Sequence, residues 1–161
     1  MIPLETLRKL DFFSGLSDDE LGQIAHISEE RTYQANELCF QEGEQAEYLY
    51  VLLSGKVSIQ FQFQSLLQPP YRETTVTTVR PGEPFGWSSL VEPGHYTASA
   101  RCLEASRALC IKGSDLEALA ERECCLGYRV MRKAAIVAGS RLRETRRNLI
   151  REIGQSVLNN W

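Results

Sequence analysis

Few residues in this sequence could run chemistry. The chain has two histidines, His26 and His95, and five cysteines, Cys39, Cys102, Cys110, Cys124 and Cys125. A metal-dependent enzyme needs His and carboxylate ligands clustered at fixed spacing. Here one histidine falls on a predicted helix and the other on a loop. Cys124-Cys125 could be a redox pair, but vicinal bridges are strained and the C-x-x-C spacing is missing. The pair reads as reduced thiols buried on a helix. No Ser/His/Asp order, Walker-type loop or paired-carboxylate motif is present, so catalysis has no anchor. The expectation is a protein that is not an enzyme, with no catalytic residue and no metal.

The remaining chemical signal is charge. Between Met1 and Gln60 there are eleven acidic side chains and four basic ones, whereas Arg122 to Arg151 holds nine Lys/Arg. Arg141, Arg143, Arg146, Arg147 and Arg151 crowd the end of that segment. No aromatic residues interleave with them, as a single-strand nucleic-acid groove would require. A solvated helix face, with Glu121, Glu123 and Glu144 as local partners, is the simpler reading. The formal net charge of −3 argues against a protein that coats nucleic acid.

The elements that position these groups follow from length and periodicity. A chain of 161 residues, 43% hydrophobic, fits one domain with a packed core. No apolar run approaches the roughly 18 residues of a membrane span. Met1-Ile2-Pro3-Leu4-Glu5 has neither the basic nor the apolar stretch of an export signal. With an odd number of cysteines, the expectation is free thiols and a cytoplasmic location, away from membranes. Pro3 to Leu10 reads as a short helix. Ser17 and Glu20 form a capping box for a second helix, through Leu21, Ile24 and Ala25.

From about residue 29 the period drops to two. Val57, Ile59, Phe61 and Phe63 alternate with Ser58, Gln60 and Gln62, the mark of a half-buried strand. About eight such short runs lie between Gly43, Ser54-Gly55, Gln68-Pro69-Pro70, Pro81-Gly82 and Pro93-Gly94. After Gly113 the helical period returns, opened by a second capping box, Ser114 with Glu117. A break near Cys124-Cys125 is expected. A single helix then runs over about 126–153, with the stripe Leu126, Val130, Ala134, Val137, Leu142, Leu149 and Ile153. At 1.5 Å per residue that helix is about 40 Å long. A stripe that outruns its own domain points to a second chain. The expected fold is therefore mainly β, a jelly roll with flanking helices and a long C-terminal helix. Its parts are a helical lead-in at 1–28, a β-region at 29–113 and helices at 114–161.

Three segments in this order resemble the cyclic nucleotide-binding domain family, the effector domain of catabolite-activator-type regulators. Leu10-Asp11-Phe12-Phe13-Ser14-Gly15-Leu16-Ser17 is similar to its lead-in. Tyr50-Val51-Leu52-Leu53-Ser54-Gly55-Lys56-Val57 is similar to its central hairpin. Phe85-Gly86-Trp87-Ser88-Ser89-Leu90, followed by Tyr96-Thr97-Ala98-Ser99-Ala100, resembles its phosphate-binding cassette, placed at 85–100. The similarity runs from about Leu7 to Leu149.

The resemblance implies a ligand held by Phe85, Gly86, Trp87, Ser88, Ser89, Tyr96, Thr97 and Ala98. It also implies a homodimer formed through the last helix, here at Val130, Ala134, Val137, Ala138 and Leu142. Nucleotide-binding members use a Glu after Phe-Gly for the ribose and an Arg before the Thr/Ser-Ala stretch for the phosphate. This sequence has Trp87 and Tyr96 at those places. Each lost hydrogen bond to a charged group is worth about 1.5–3 kcal/mol. Together they amount to roughly two to four decades of affinity.

The implied function is a regulatory sensor that binds a small anionic effector, either a cyclic nucleotide weakly or a different ligand. It would signal to an unidentified protein partner through the dimer helix. No DNA-binding domain is expected in this chain, and hence no direct DNA binding. Two alternatives share the scaffold: a ligand-free dimeric interaction module, and a haem-based gas sensor using His95 or a cysteine. The second is disfavoured by the lone loop histidine.

Overall fold

The computed structural model describes residues 2–63, 72–91 and 94–159. The expected Gln68-Pro69-Pro70 loop, and Pro93 of the Pro93-Gly94 turn, lie outside the described residues. Helix α1 (Leu4–Arg8), a 3-10 turn at Asp11–Phe13 and α2 (Asp18–His26) lead in. The eight strands among the described residues are β1 (Ser28–Tyr33), β2 (Leu38–Phe40), β3 (Tyr48–Ser54), β4 (Val57–Phe63), β5 (Arg72–Val79), β6 (Pro84–Phe85), β7 (Ser99–Cys102) and β8 (Ser106–Lys112). A short 3-10 helix, Trp87–Leu90, follows β6, and α3 (Gly113–Arg122) and α4 (Cys124–Asn159) close the chain. The strands form two antiparallel sheets, ordered β1-β8-β3-β6 and β2-β7-β4-β5.

The capping box at Ser17 forms as the sequence requires. The Ser17 amide donates to the Glu20 carboxylate at 2.7 Å, and the Glu20 amide donates to Ser17 Oγ at 3.3 Å. The second expected box does not form. Helix α3 already begins at Gly113, its N-cap is Lys112, and no side chain caps it. The reason is tertiary: the Gly113 amide donates to the Glu47 carbonyl at 2.9 Å. A Cβ at Gly113 would lie 2.3 Å from the Ser89 carbonyl oxygen. Strand β8 therefore runs straight into α3 beneath the short 3-10 helix.

Two cores share the central sheet. On β3, Leu49 and Val51 face the helical layer, while Tyr50 and Leu52 face the space between the sheets. On β8, Leu109 and Ile111 face the helices, and Ala108 and Cys110 face inward. Period-two alternation thus becomes two buried faces, which explains the unbroken apolar run of β3. Burial on β4 departs from the expected alternation. Ser58 is fully buried, with its hydroxyl 2.9 Å from that of Thr75, and Phe61 is 38% exposed. A register shift between Ile59 and Gln60 breaks the simple in-out pattern.

The long helix differs most from its expected stripe. Leu126, Val130 and Ala134 are buried in this chain's own helical core, so they are not available to a second copy. Val137 and Ala138 are half-buried and Leu142 is 71% exposed. The residues read as one stripe occupy two faces. Cys124 and Cys125 are exposed rather than buried, because they start α4 at its solvent side. The charge asymmetry finds a partner within the fold. Arg129 pairs with Glu20 and Lys133 with Asp11, both at 3.0 Å, tying α4 to the acidic lead-in.

Candidate functional site

The cassette turn is built on Gly86. Its φ of +75° is left-handed, and a Cβ there would meet Tyr50 Cδ2 at 2.9 Å and the Tyr48 carbonyl at 3.1 Å. Only glycine lets Phe85 stay buried against Tyr50 while the chain turns at once into Trp87–Leu90. The turn is held by Ser89, whose hydroxyl donates to the Gly86 carbonyl at 3.1 Å. Ser89 therefore serves the turn and does not line the cavity in front of it.

That cavity, about 210 Å³, lies between the cassette, strands β4 and β5, and α4. Of the cassette residues singled out in the sequence, Phe85, Gly86, Trp87, Ser88, Tyr96, Thr97 and Ala98 all line it. Ile59, Phe61 and Val76 form the sheet wall, and Ala138, Arg141, Leu142 and Thr145 form the helix wall. Trp87 is half-buried and packs partly on the helical core, so its ring divides between wall and cavity. Thr97 is exposed and Ala98 nearly buried.

Tyr96 takes a role the sequence does not reveal. Its ring stacks on Phe40 with centroids 3.8 Å apart. Its hydroxyl donates to the Tyr48 carbonyl at 2.8 Å and accepts from the Tyr48 amide at 3.1 Å. Burial raises the pKa of this phenol, so it stays protonated at neutral pH. Both of its polar functions are thus committed to the backbone of β3. Only the ring of Tyr96 is presented to a ligand, and no phosphate-pairing cation stands at position 96.

The cation of the cavity comes instead from α4, where the sequence reading placed only a solvated face. The Arg141 side chain is 14% exposed and pairs with Glu83 at 3.1 Å. It also donates to the Thr77 hydroxyl. A run of five arginines hides the one that turns inward. Only its place on the cavity-facing side, one residue before Leu142 and four before Thr145, sets it apart. Neither histidine and none of the cysteines lines this cavity, so the His or Cys ligand expected of a haem sensor is not at this place among the described residues. No group of three or more His, Cys, Asp or Glu among them could hold a metal ion. No helix among them is long and apolar enough to cross a membrane.

A jelly roll closed by a long helix, with a glycine-turned cassette facing that helix across a cavity, defines a class. The chain belongs to the cyclic nucleotide-binding domain family, whose profile matches residues 30–123. Over 145 residues it is 27% identical to the CRP-like cAMP-activated global transcriptional regulator of Mycobacterium tuberculosis, covering 90% of this chain and 61% of the relative. Over 132 residues it is 32% identical to the cyclic AMP receptor protein of Thermus thermophilus, covering 82% and 57%. The chain thus spans about three fifths of the length of the curated relatives it matches. A solved chain from Geobacter metallireducens, described as a cyclic nucleotide-binding protein, is 38% identical with a TM-score of 0.74. That match covers 88% of this chain and 99% of the other.

Proposed function

We propose that this protein is a non-catalytic effector sensor whose ligand occupies the cavity between the cassette and α4. The observation that carries the reading is that one void is walled by both segments. A ligand there touches the element that recognises it and the element that can report it. The lining is mostly aromatic and aliphatic with a few polar groups, which suits a small molecule with a flat apolar body and one anionic group. Cyclic nucleotides fit that description; one named relative is a cAMP-activated transcriptional regulator and another a cyclic AMP receptor protein. With Trp87 and Tyr96 in place of a ribose acceptor and a phosphate cation, cyclic AMP binds more weakly than micromolar.

The output is a homodimer through the outer face of α4, acting on a protein partner in the cytoplasm. The supporting feature is the apolar face at Tyr128, Met131, Leu142, Leu149 and Ile153, all exposed. Calorimetry with cyclic AMP and cyclic GMP tests the reading. Heat saturating in the tens to hundreds of micromolar supports a sensor with a weakened cassette. Submicromolar binding would mean that Trp87 and Tyr96 do not weaken the site. No binding of either, with dimerisation intact, would favour a ligand-free interaction module.

A further inference from the structure

Arg141 lies on the wall between the mostly apolar cavity and an adjoining polar concavity that holds Glu83 and Glu144, and it is largely shielded from water. A guanidinium so placed is costly unless paired. Two of its nitrogens are engaged: Nη2 donates to Glu83 Oε2 at 3.1 Å and Nη1 donates to Thr77 Oγ1. A guanidinium carries five N–H donors in a fixed fork, so donors remain for a further acceptor. Glu83 immediately precedes Pro84 and Phe85 of β6 and lies three residues before Gly86. Its Oε2 also accepts the Arg80 amide at 2.9 Å, so the carboxylate keeps a partner when Arg141 leaves. A second carboxylate, Glu144 of α4, accepts from the Thr77 hydroxyl at 3.3 Å.

We propose that Arg141 is the anion-binding residue of the cavity, and that Glu83 is a built-in counter-ion which the ligand's anionic group must displace. The assignment rests on the reading of this cavity as an effector site, and it names the class of effector: a flat apolar body bearing one negative charge. Tyr96 cannot serve, because its hydroxyl is bound to the Tyr48 backbone. Two carboxylates near one buried guanidinium leave no surplus positive charge, which disfavours doubly charged anions such as nucleoside 5′-monophosphates. When a monoanion takes the guanidinium, the tie from α4 to the residue before β6 is released. The cation that reads the ligand therefore lies on the reporting helix itself.

Calorimetry with cyclic AMP and with adenosine, which has the same body without the phosphate, tests the assignment. Glu83→Gln is expected to tighten cyclic AMP about five- to tenfold and to leave adenosine unchanged. Arg141→Gln is expected to weaken cyclic AMP at least tenfold, down to the level of adenosine. Arg141→Lys, which keeps the charge and loses the fork, falls between, and circular dichroism checks that each variant folds. Cyclic AMP binding that is unchanged in both Arg141→Gln and Glu83→Gln overturns the role of Arg141 and leaves the cavity reading standing. Absence of cyclic AMP binding in wild type and Glu83→Gln alike overturns the cavity reading, and Arg141's role with it.

Discussion

The two halves of α4 carry similar residues and meet different fates. From Leu126 to Ala134 one face, Leu126, Val130 and Ala134, is sealed against the lead-in helices and α3, while Tyr128 and Met131 on the other face stay exposed. From Leu142 to Leu158 the apolar side chains stand more than half exposed. The first half is part of the domain; the second, past the cavity wall at Leu142 and Thr145, presents an apolar surface that the described residues leave uncovered. A run of apolar residues at helical spacing therefore does not reveal which face is core and which is interface. That depends on where the rest of the fold stops.

Three substitutions sharpen this contrast. Leu126→Ala should remove a fully buried side chain and cost about 2–5 kcal/mol of folding stability, read from denaturant unfolding. A loss below about 1 kcal/mol would show that the first half is not core. Leu142→Glu should shift unfolding of the monomer by no more than about 0.5 kcal/mol, as for an exposed site. The same change should weaken self-association at least tenfold in sedimentation, about 1.4 kcal/mol. A wild type that is monomeric at roughly 50 μM (about 6 kcal/mol of association) would break the comparison, leaving the second half without a role. Arg129→Gln should cost least, under about 1 kcal/mol, because the pair with Glu20 is partly exposed. That difference should shrink further in high salt.

The sequence and the fold agree wherever local rules decide. Strands were legible because period two, punctuated by Gly55 and Pro81-Gly82, survives in β3 and β8 and fails only in the burial of β4. The Ser17 cap was legible because both partners lie within one turn. The Ser114 cap failed because a contact from Ser89 and Glu47, far away in the chain, decides where α3 starts. Most of the candidate site was legible as a segment: all its expected lining residues except Ser89 meet at one cavity. Its electrostatics were not. Tyr96 is committed by a backbone 48 residues away, and Arg141 turns inward from a helix that otherwise shows its arginines to solvent.

The length of α4 has a mechanical consequence. Thirty-six residues at about 1.5 Å each make a rod of about 54 Å. Its last side-chain ties to the strands, at Arg141 and Glu144, end 15 residues before the described end at Asn159, which leaves roughly 22 Å beyond the clamp. A rod gripped at one end multiplies angle into travel. A tilt of about 5° at the grip carries the far end by about 2 Å, more than one rise of a helix. The grip includes Gly113, pressed against the Ser89 carbonyl at the base of the cassette. Sub-ångström adjustments around a small molecule can thus reach the far tip as a displacement the size of a side-chain rearrangement.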